Sequence, residues 1–162
     1  MPAPVVIMPR SDTEDKVDKW IKRISEGREE LGGHAICPYA LSAYVGIIKC
    51  NLEEVALNSD ANADVMIFDV GDVSLAALMQ KVSELSMKHP DYIVLDDHMD
   101  EPTYINGVQS NYGEGNLILI QKRDKLESAR ETLHKTDYYK YWSPSMYRRI
   151  VNGQTSRQGS GL

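Results

Sequence analysis

The chain has 162 residues, 42% of them hydrophobic and 26% charged, which is typical of one soluble globular domain with a self-sufficient core. Its 24 acidic side chains outnumber the 18 Lys and Arg, and the formal net charge is −6. Binding along a phosphate backbone needs clustered positive charge, so we expect nucleic acid not to be a partner.

No apolar run approaches the roughly 20 residues that span a bilayer. Residues 1–10 are interrupted by three prolines, and they lack the basic segment and the long apolar core of a signal peptide. We therefore expect a soluble, cytoplasmic protein with no membrane contact. The sequence requires no cofactor, and its two cysteines do not form the disulfide framework of a small secreted protein.

The sequence divides into three segments. Residues 1–10 are predicted to be a Pro-limited extended arm, and residues 11–151 to be a single α/β domain. Residues 152–162 have no core-forming side chains, which predicts a flexible tail.

A helix is predicted at the start of the domain. Ser11 followed three residues later by Glu14 is a capping-box pattern. Apolar side chains then recur at the spacing i, i+3, i+4, i+7, namely Val17, Trp20, Ile21 and Ile24. Gly32-Gly33 is expected to end this helix, because glycine readily adopts the left-handed conformation found just beyond helix C-termini.

From Tyr44 onward the residue pattern predicts the order strand, strand, helix, strand, strand, helix. The predicted strands are 44–50, 65–70, 92–95 and 116–121, and the apolar positions of the two helices fall in 75–85 and 126–133. A short hairpin arm is predicted at 104–108, where Asn106-Gly107 favours a two-residue turn.

This order predicts an α+β fold, a two-layer α/β sandwich in which two helices cover one face of the sheet. It is the order of a circularly permuted ferredoxin-like βαββαβ arrangement with an extra N-terminal helix. A thioredoxin-like arrangement is the alternative, because it also ends with two strands and a helix and would place Cys37 before a helix.

Cys37 is the first candidate for chemistry. Cys37-Pro38-Tyr39-Ala40 resembles the Cys-Pro-Tyr of glutaredoxins over three residues and leads into a stretch that favours a helical turn. A cysteine at a helix N-terminus has a lowered pKa, and His34 is close enough in sequence to pair with its thiolate. Cys50 would then be a resolving cysteine. The structural alternative is a small buried residue in a turn shaped by Pro38.

The segment Asp96–Glu101 is the second candidate. It follows a predicted strand, and alternation along an extended chain would place Asp96, His98 and Asp100 on one side, apart from Asp97. Carboxylates and an imidazole in this arrangement are typical ligands of a divalent metal. A solvated acidic loop is the structural alternative.

An aromatic block near the C-terminus is the third candidate. Tyr138, Tyr139, Tyr141, Trp142 and Tyr147 fall within ten residues. Tyr and Trp are enriched at the energetic centres of protein interfaces, so the block predicts a partner-binding surface. The alternative is that these side chains fold back over the sheet and complete its core.

Two resemblances to known families involve these motifs. The helix that carries Trp20, together with Cys37-Pro38-Tyr39-Ala40, resembles the start of an uncharacterised bacterial family in which a Trp precedes a Cys-Pro-Phe-Ala motif. The span from Lys19 to Ile150 resembles conserved hypothetical proteins of large tailed phages of marine cyanobacteria. That resemblance rests on Lys19-Trp20-Ile21, Glu30-Leu31-Gly32, Ile36–Ala40, Gly107-Val108-Gln109 with Asn111, Asn116–Leu119, and Lys135–Tyr139 with Trp142. It implies a phage-related protein that works in a bacterial cytoplasm, and it implies no particular activity.

The functional expectation is a small intracellular accessory protein that acts by protein–protein interaction. Its acidic charge, its aromatic block and the incomplete catalytic groupings favour this reading. A thiol-dependent enzyme or redox protein that uses Cys37 is the first alternative. A metal-dependent enzyme that uses the segment Asp96–Glu101 is the second.

Overall fold

A computed structural model describes residues 11–57 and 63–151, so the predicted arm and the predicted tail lie outside the described residues. Within those ranges the chain forms four α-helices and six strands. The helices are α1 (Asp12–Ser25), α2 (Leu75–Lys88), α3 (Arg123–His134) and α4 (Pro144–Ile150). The strands are β1 (Val45–Lys49), β2 (Val65–Asp69), β3 (Tyr92–Asp97), β4 (Tyr104–Ile105), β5 (Val108–Gln109) and β6 (Leu117–Lys122). No helix in these ranges has the length and apolar character needed to cross a membrane.

The four long strands form one mixed sheet in the order β1-β2-β6-β3. The strand β6 is antiparallel to both of its neighbours, β2 and β3, whereas β1 is parallel to β2. The predicted α+β class is confirmed, and the strand order is that of the permuted ferredoxin-like plan. That plan is antiparallel throughout, so the direction of β1 is a departure from it. Parallel neighbours cannot be joined by a tight turn, so β1 and β2 do not form a hairpin.

Both faces of the sheet are covered by other elements. Because β2 and β6 are apolar at consecutive positions, each strand presents apolar side chains to both faces. On one face Ile67 and Leu117 pack with α1 and with the β4–β5 hairpin. On the other face Phe68 and Ile118 pack with α2. The sequence predicts that two helices share one face; the structure instead places α2 on one face and α3 beside the other. Strands that are buried on both sides require this third layer.

The helix α1 begins as predicted and ends earlier than predicted. The Ser11 hydroxyl accepts a hydrogen bond from the Glu14 amide at 3.1 Å, which caps the first turn. The helix ends at Ser25, before Gly27. A Cβ at Gly27 would lie 2.7 Å from the Gly33 carbonyl oxygen, so the chain turns where glycine permits this close backbone approach. Gly32, at a φ of 65°, ends a separate 3₁₀ turn instead.

The β4–β5 hairpin is present where the sequence predicts it. Asn106 and Gly107 have φ angles of 47° and 83°, which a two-residue hairpin turn requires. The Trp20 indole donates to the Ser110 carbonyl at 3.0 Å, and the side-chain amide of Asn106 donates to the Glu30 carbonyl at 2.7 Å. These bonds hold the hairpin against α1 and so close one end of the sheet face on which α3 also lies.

Candidate functional site

An apolar cleft of about 460 Å³ lies between the sheet and α3. The sheet forms its floor with alternating side chains of β2 and β6, and α1 forms one wall. The opposite wall is α3 with the aromatic block and α4. Representative lining residues are Ile67 and Leu119 of the sheet, Trp20 and Ile24 of α1, and Leu126 and Leu133 of α3.

The cleft exists because α3 does not pack closely on the sheet. Its apolar stripe, Leu126, Ala129 and Leu133, is only half-buried, and Arg130 is the one residue of this helix that is buried. The helix follows β6 without a loop, and an ion pair of 2.5 Å between Lys125 and Asp64 holds its first turn beside the start of β2. An amphipathic helix normally buries its stripe against a sheet. Here the stripe faces an open space.

The aromatic block is a packed cluster and not an exposed surface. Tyr138 is buried, and its hydroxyl donates to the Ile36 carbonyl. Tyr139 packs edge-on against Trp142 and Tyr147, at centroid distances of 5.3 Å for both pairs. Burial raises the pKa of Tyr138 and of Tyr139, so both phenols are neutral at physiological pH. The cluster builds one wall of the cleft.

Two further members of the predicted block contact other parts of the domain. Tyr141 is half-buried against Gly32, where a Cβ would lie 2.6 Å from the Tyr141 hydroxyl oxygen. The Tyr147 hydroxyl is 2.6 Å from Nε2 of His134. Each of these contacts ties the C-terminal segment to the domain, which agrees with the structural alternative stated for the block.

Arg130 places a positive charge in this apolar wall. Its side chain is 9% exposed, and it donates to the carbonyl oxygens of Ile150 at 3.0 Å and of Val151 at 3.5 Å. Among the residues that the structure describes, no carboxylate lies within ion-pair distance of its guanidinium. Burial lowers the pKa of Arg130, which reflects the loss of solvation of the charged form.

Cys37 lies in the wall of the cleft, but the structure does not give it the environment of a thiolate. Burial is the main effect and raises the pKa of the thiol, although the amides of Tyr39 and Ala40 partly oppose it. A turn and then β1 follow Cys37, so the helix that the thioredoxin-like alternative requires after this cysteine is not there. A lowered pKa from a helix N-terminus therefore has no source.

The predicted partners of Cys37 are directed elsewhere. Nε2 of His34 is 2.6 Å from Oδ1 of Asp137, and its ring packs edge-on against Tyr138 at 5.7 Å. Cys50 packs in the apolar cluster of the other sheet face, whereas Cys37 packs in the cluster on the cleft side. The sheet therefore separates the two thiols, and Cys50 is not positioned as a resolving cysteine.

The acidic segment is not gathered into a set of metal ligands. Nε2 of His98 is 2.8 Å from the Val73 carbonyl oxygen, and Nδ1 accepts from the Asp100 amide at 3.1 Å, so both ring nitrogens are engaged. The Asp100 side chain is 82% exposed. Within residues 11–57 and 63–151, no group of three His, Cys, Asp or Glu side chains could hold a metal ion.

Asp97, which the sequence reading set apart from this group, is the buried carboxylate of the segment. Its Oδ2 accepts from the Tyr112 amide at 3.0 Å, and its Oδ1 accepts from the Asn111 side-chain amide at 3.5 Å. Burial raises the pKa of Asp97. It lines the more polar end of the cleft, where Glu101 and Arg149 form an ion pair of 3.8 Å.

The sequence reading missed the role of α3 and Arg130. The signal was present, because Arg130 lies four residues after Leu126 and three before Leu133 and so belongs to the apolar stripe of the helix. A charged side chain within such a stripe indicates either a partner charge or a polar element in the adjoining space. Helical spacing alone cannot tell which.

Comparison of the chain with family models, with curated proteins and with solved structures finds no match. The shape, polarity and charge of the cleft are therefore the basis on which a function can be argued.

Proposed function

We propose that this chain is a binding protein that takes an apolar ligand of small-molecule size into the cleft between α3 and the sheet. The observation that carries this proposal is the cleft itself, a concavity of about 460 Å³ lined mainly by aliphatic and aromatic side chains. Pockets for small ligands typically measure roughly 300–1,000 Å³ and combine such a lining with a few polar groups.

The apolar stripe of α3 explains why a ligand would bind. Leu126, Ala129 and Leu133 remain half-buried in the empty cleft. An apolar ligand would remove these side chains and the facing sheet residues from water, with a gain of about 25 cal/mol for each Å² of apolar surface buried. The walls are already ordered by the Lys125–Asp64 ion pair and by the aromatic cluster, so little ordering has to accompany binding.

Binding of a neutral fluorescent dye, phenylnaphthylamine, tests this proposal. We expect the dye to brighten on binding to the native chain, and Ala129→Trp to weaken binding about tenfold or more because the indole would fill the space that the dye needs. Glu131→Trp is the matched control, since residue 131 lies on the exposed side of the same helix. A native chain that leaves the dye dark, or two tryptophan variants with equal dye affinity, would reject the proposal.

A protein partner is the second candidate function, and exposed side chains before β1 support it. Tyr39, Leu41 and Tyr44 are 39%, 67% and 57% exposed, although all three are large and hydrophobic. They suit a partner-binding surface better than the aromatic block does. Peptides selected from a displayed library against the native chain should lose binding when these three residues are changed to Ser. They should keep it in Met87→Ser, which alters an exposed residue of α2. Equal binding to both variants would exclude this surface.

The remaining functional readings of the sequence stay predictions. A phage-related origin and a cytoplasmic location are among them, as are the enzyme alternatives. The raised pKa of Cys37 and the engaged nitrogens of His98 give the thiol and metal readings less support than the cleft gives a binding role.

A further inference from the structure

We infer that the ligand of the cleft is an anionic amphiphile, an aliphatic chain with a terminal carboxylate, and that the carboxylate binds Arg130. This inference rests on the proposed function and specifies its ligand. The aliphatic chain would lie along the apolar walls, and the head group would meet Arg130, the buried charged side chain of α3 in the cleft wall.

The guanidinium of Arg130 has donors to spare. It carries five N–H groups, and its described hydrogen bonds, to the carbonyl oxygens of Ile150 and Val151, use two of them. Carbonyl oxygens satisfy donors but do not neutralise the charge. A buried cation without a counter-ion is unfavourable, and an anion bound in the cleft would remove that deficit.

The groups around Arg130 do not supply the missing negative charge. Burial raises the pKa values of Cys37, Tyr138 and Tyr139, which keeps all three neutral near pH 7. Glu127 lies one turn earlier on α3 and its charge partly opposes the lowering of the pKa of Arg130, but Glu127 is exposed and its ion pair is with Arg123, at 3.4 Å. Within residues 11–57 and 63–151, no carboxylate therefore forms a direct ion pair with this guanidinium.

Two of the other cations in the lining, Lys125 and Arg149, form ion pairs. Lys125 pairs with Asp64 at 2.5 Å, and Arg149 pairs with Glu101 at 3.8 Å. Asp97 accepts hydrogen bonds from two amides, and its raised pKa reduces its tendency to ionise. An anionic head group would meet the unused N–H donors of Arg130. A cationic head group would meet fewer acceptors that are not already engaged. A carboxylate also suits the planar, forked geometry of a guanidinium.

A comparison of three ligands that share one aliphatic chain tests the charge of the head group. Decanoate, decanol and decyltrimethylammonium would each be titrated against the dye-loaded native chain near pH 7, below their micellar concentrations. We expect decanoate to displace the dye at about tenfold lower concentration than decanol, because hydrogen bonds to charged groups exceed neutral ones. The ammonium ligand should be the weakest. Equal displacement by decanoate and decanol, or stronger displacement by the ammonium ligand, would overturn the inference.

Arg130→Gln then tests the residue, with Arg148→Gln as the matched control on an exposed position of α4. We expect Arg130→Gln to reduce the affinity for decanoate to that for decanol and to leave the affinity for decanol unchanged. Arg148→Gln should keep the full preference for decanoate. Loss of both ligands in folded Arg130→Gln would make Arg130 a structural residue of the wall and contradict the inference.

The two proposals fail in different ways. If the native chain binds no dye, the proposed function fails. If it binds dye but shows no preference for decanoate, only the anionic head group is rejected. Should Arg130→Gln fail to fold, the comparison of the three ligands on the native chain still decides for or against the inference.

Discussion

Asp97 is the residue at which burial and charge conflict most directly. It ends β3 with its carboxylate held by the Tyr112 amide and the Asn111 side chain. Two donors favour the ionised form, but desolvation is the larger effect and raises the pKa of Asp97. The folded state therefore favours the protonated acid more strongly than the unfolded chain does.

That conflict predicts a pH-dependent effect of Asp97→Asn on stability. The stability linked to Asp97 is complete below its unfolded pKa of about 3.9 and is lost as the pH rises through the higher folded pKa. We therefore expect the variant to gain stability relative to the native chain as the pH rises above about 4. Urea unfolding across this range measures the difference, with Asp100→Asn as the control for removing an acidic charge. A difference that stays constant with pH, or that moves in the opposite direction, would contradict the assignment.

At the residue scale, the contacts of a side chain can be predicted from the sequence where a local pattern determines them. They cannot be predicted where they join two segments that are distant along the chain. Ser11 and Glu14 are a local pattern, so the cap of α1 was predictable. The partner of His34 was not, because Asp137 lies 103 residues away along the chain. The burial of Asp97 depends in the same way on the loop that carries Asn111 and Tyr112.

The corner after α1 is the element that joins the first helix to the aromatic block. Gly32 has a φ of 65°, and a Cβ there would lie within 3.0 Å of three atoms of the Tyr141 side chain. Gly33 has a φ of 89°, but a Cβ there would meet nothing within 4 Å. Both glycines have a positive φ, but only at Gly32 would a Cβ meet another side chain.

This difference predicts unequal effects of two alanine substitutions on the free energy of unfolding. Gly33→Ala should cost about 1–2 kcal/mol from the left-handed backbone alone. Gly32→Ala should cost more, by about 1 kcal/mol or above, since the new methyl displaces the Tyr141 ring. Urea unfolding of both variants measures the gap. Equal losses would mean that the ring moves aside freely and that this corner does not hold the aromatic block.

For the helix α3, the residue pattern predicts the element but not what lies opposite its apolar side. Leu126, Ala129 and Leu133 correctly predicted an amphipathic helix after the last strand. The same spacing did not reveal that the stripe faces a cleft, because helical periodicity reports which side of a helix is apolar but not what lies opposite. On that side of the sheet, α1, the aromatic cluster and α4 also line the cleft.

At the scale of the whole molecule, the sheet separates two apolar clusters with different roles. The cluster around Phe68 and Leu78 lies on the face away from the cleft, whereas the cluster around Trp20 and Ile67 borders the cleft. The alternating side chains of β2 and β6 divide between these clusters. Stability and ligand binding are therefore expected to respond to different substitutions.

Leu78→Ala tests that separation. Leu78 is a fully buried residue of α2, so its truncation should lower the free energy of unfolding by about 2–5 kcal/mol. The cleft lies across the sheet, so the folded variant should bind the dye with native affinity. Urea unfolding and dye titration measure the two quantities on the same sample. A loss of dye affinity in fully folded Leu78→Ala would show that the two faces are coupled.

The α+β class was predictable at this scale because long apolar strands alternate with amphipathic helices. The direction of β1 and the placement of helices on opposite faces were not, because both depend on strand pairing between segments that are distant along the chain. The continuous apolar run of β2 is typical of a strand buried on both faces, which is how the structure places it.

Because α3 follows β6 without a loop, the first turn of the helix is fixed to the sheet. Beyond the junction itself, the Arg123 amide donates to the Asp91 carbonyl at 3.0 Å, and the Arg123 side chain donates to the Pro90 carbonyl at 2.8 Å. The far end, near His134, is held instead by aromatic contacts and by the bonds of Arg130 to the end of α4. We expect a change in the width of the cleft to be a swing of α3 about its first turn, largest at the aromatic end. The same guanidinium that would bind the ligand is one of the ties that this swing must strain.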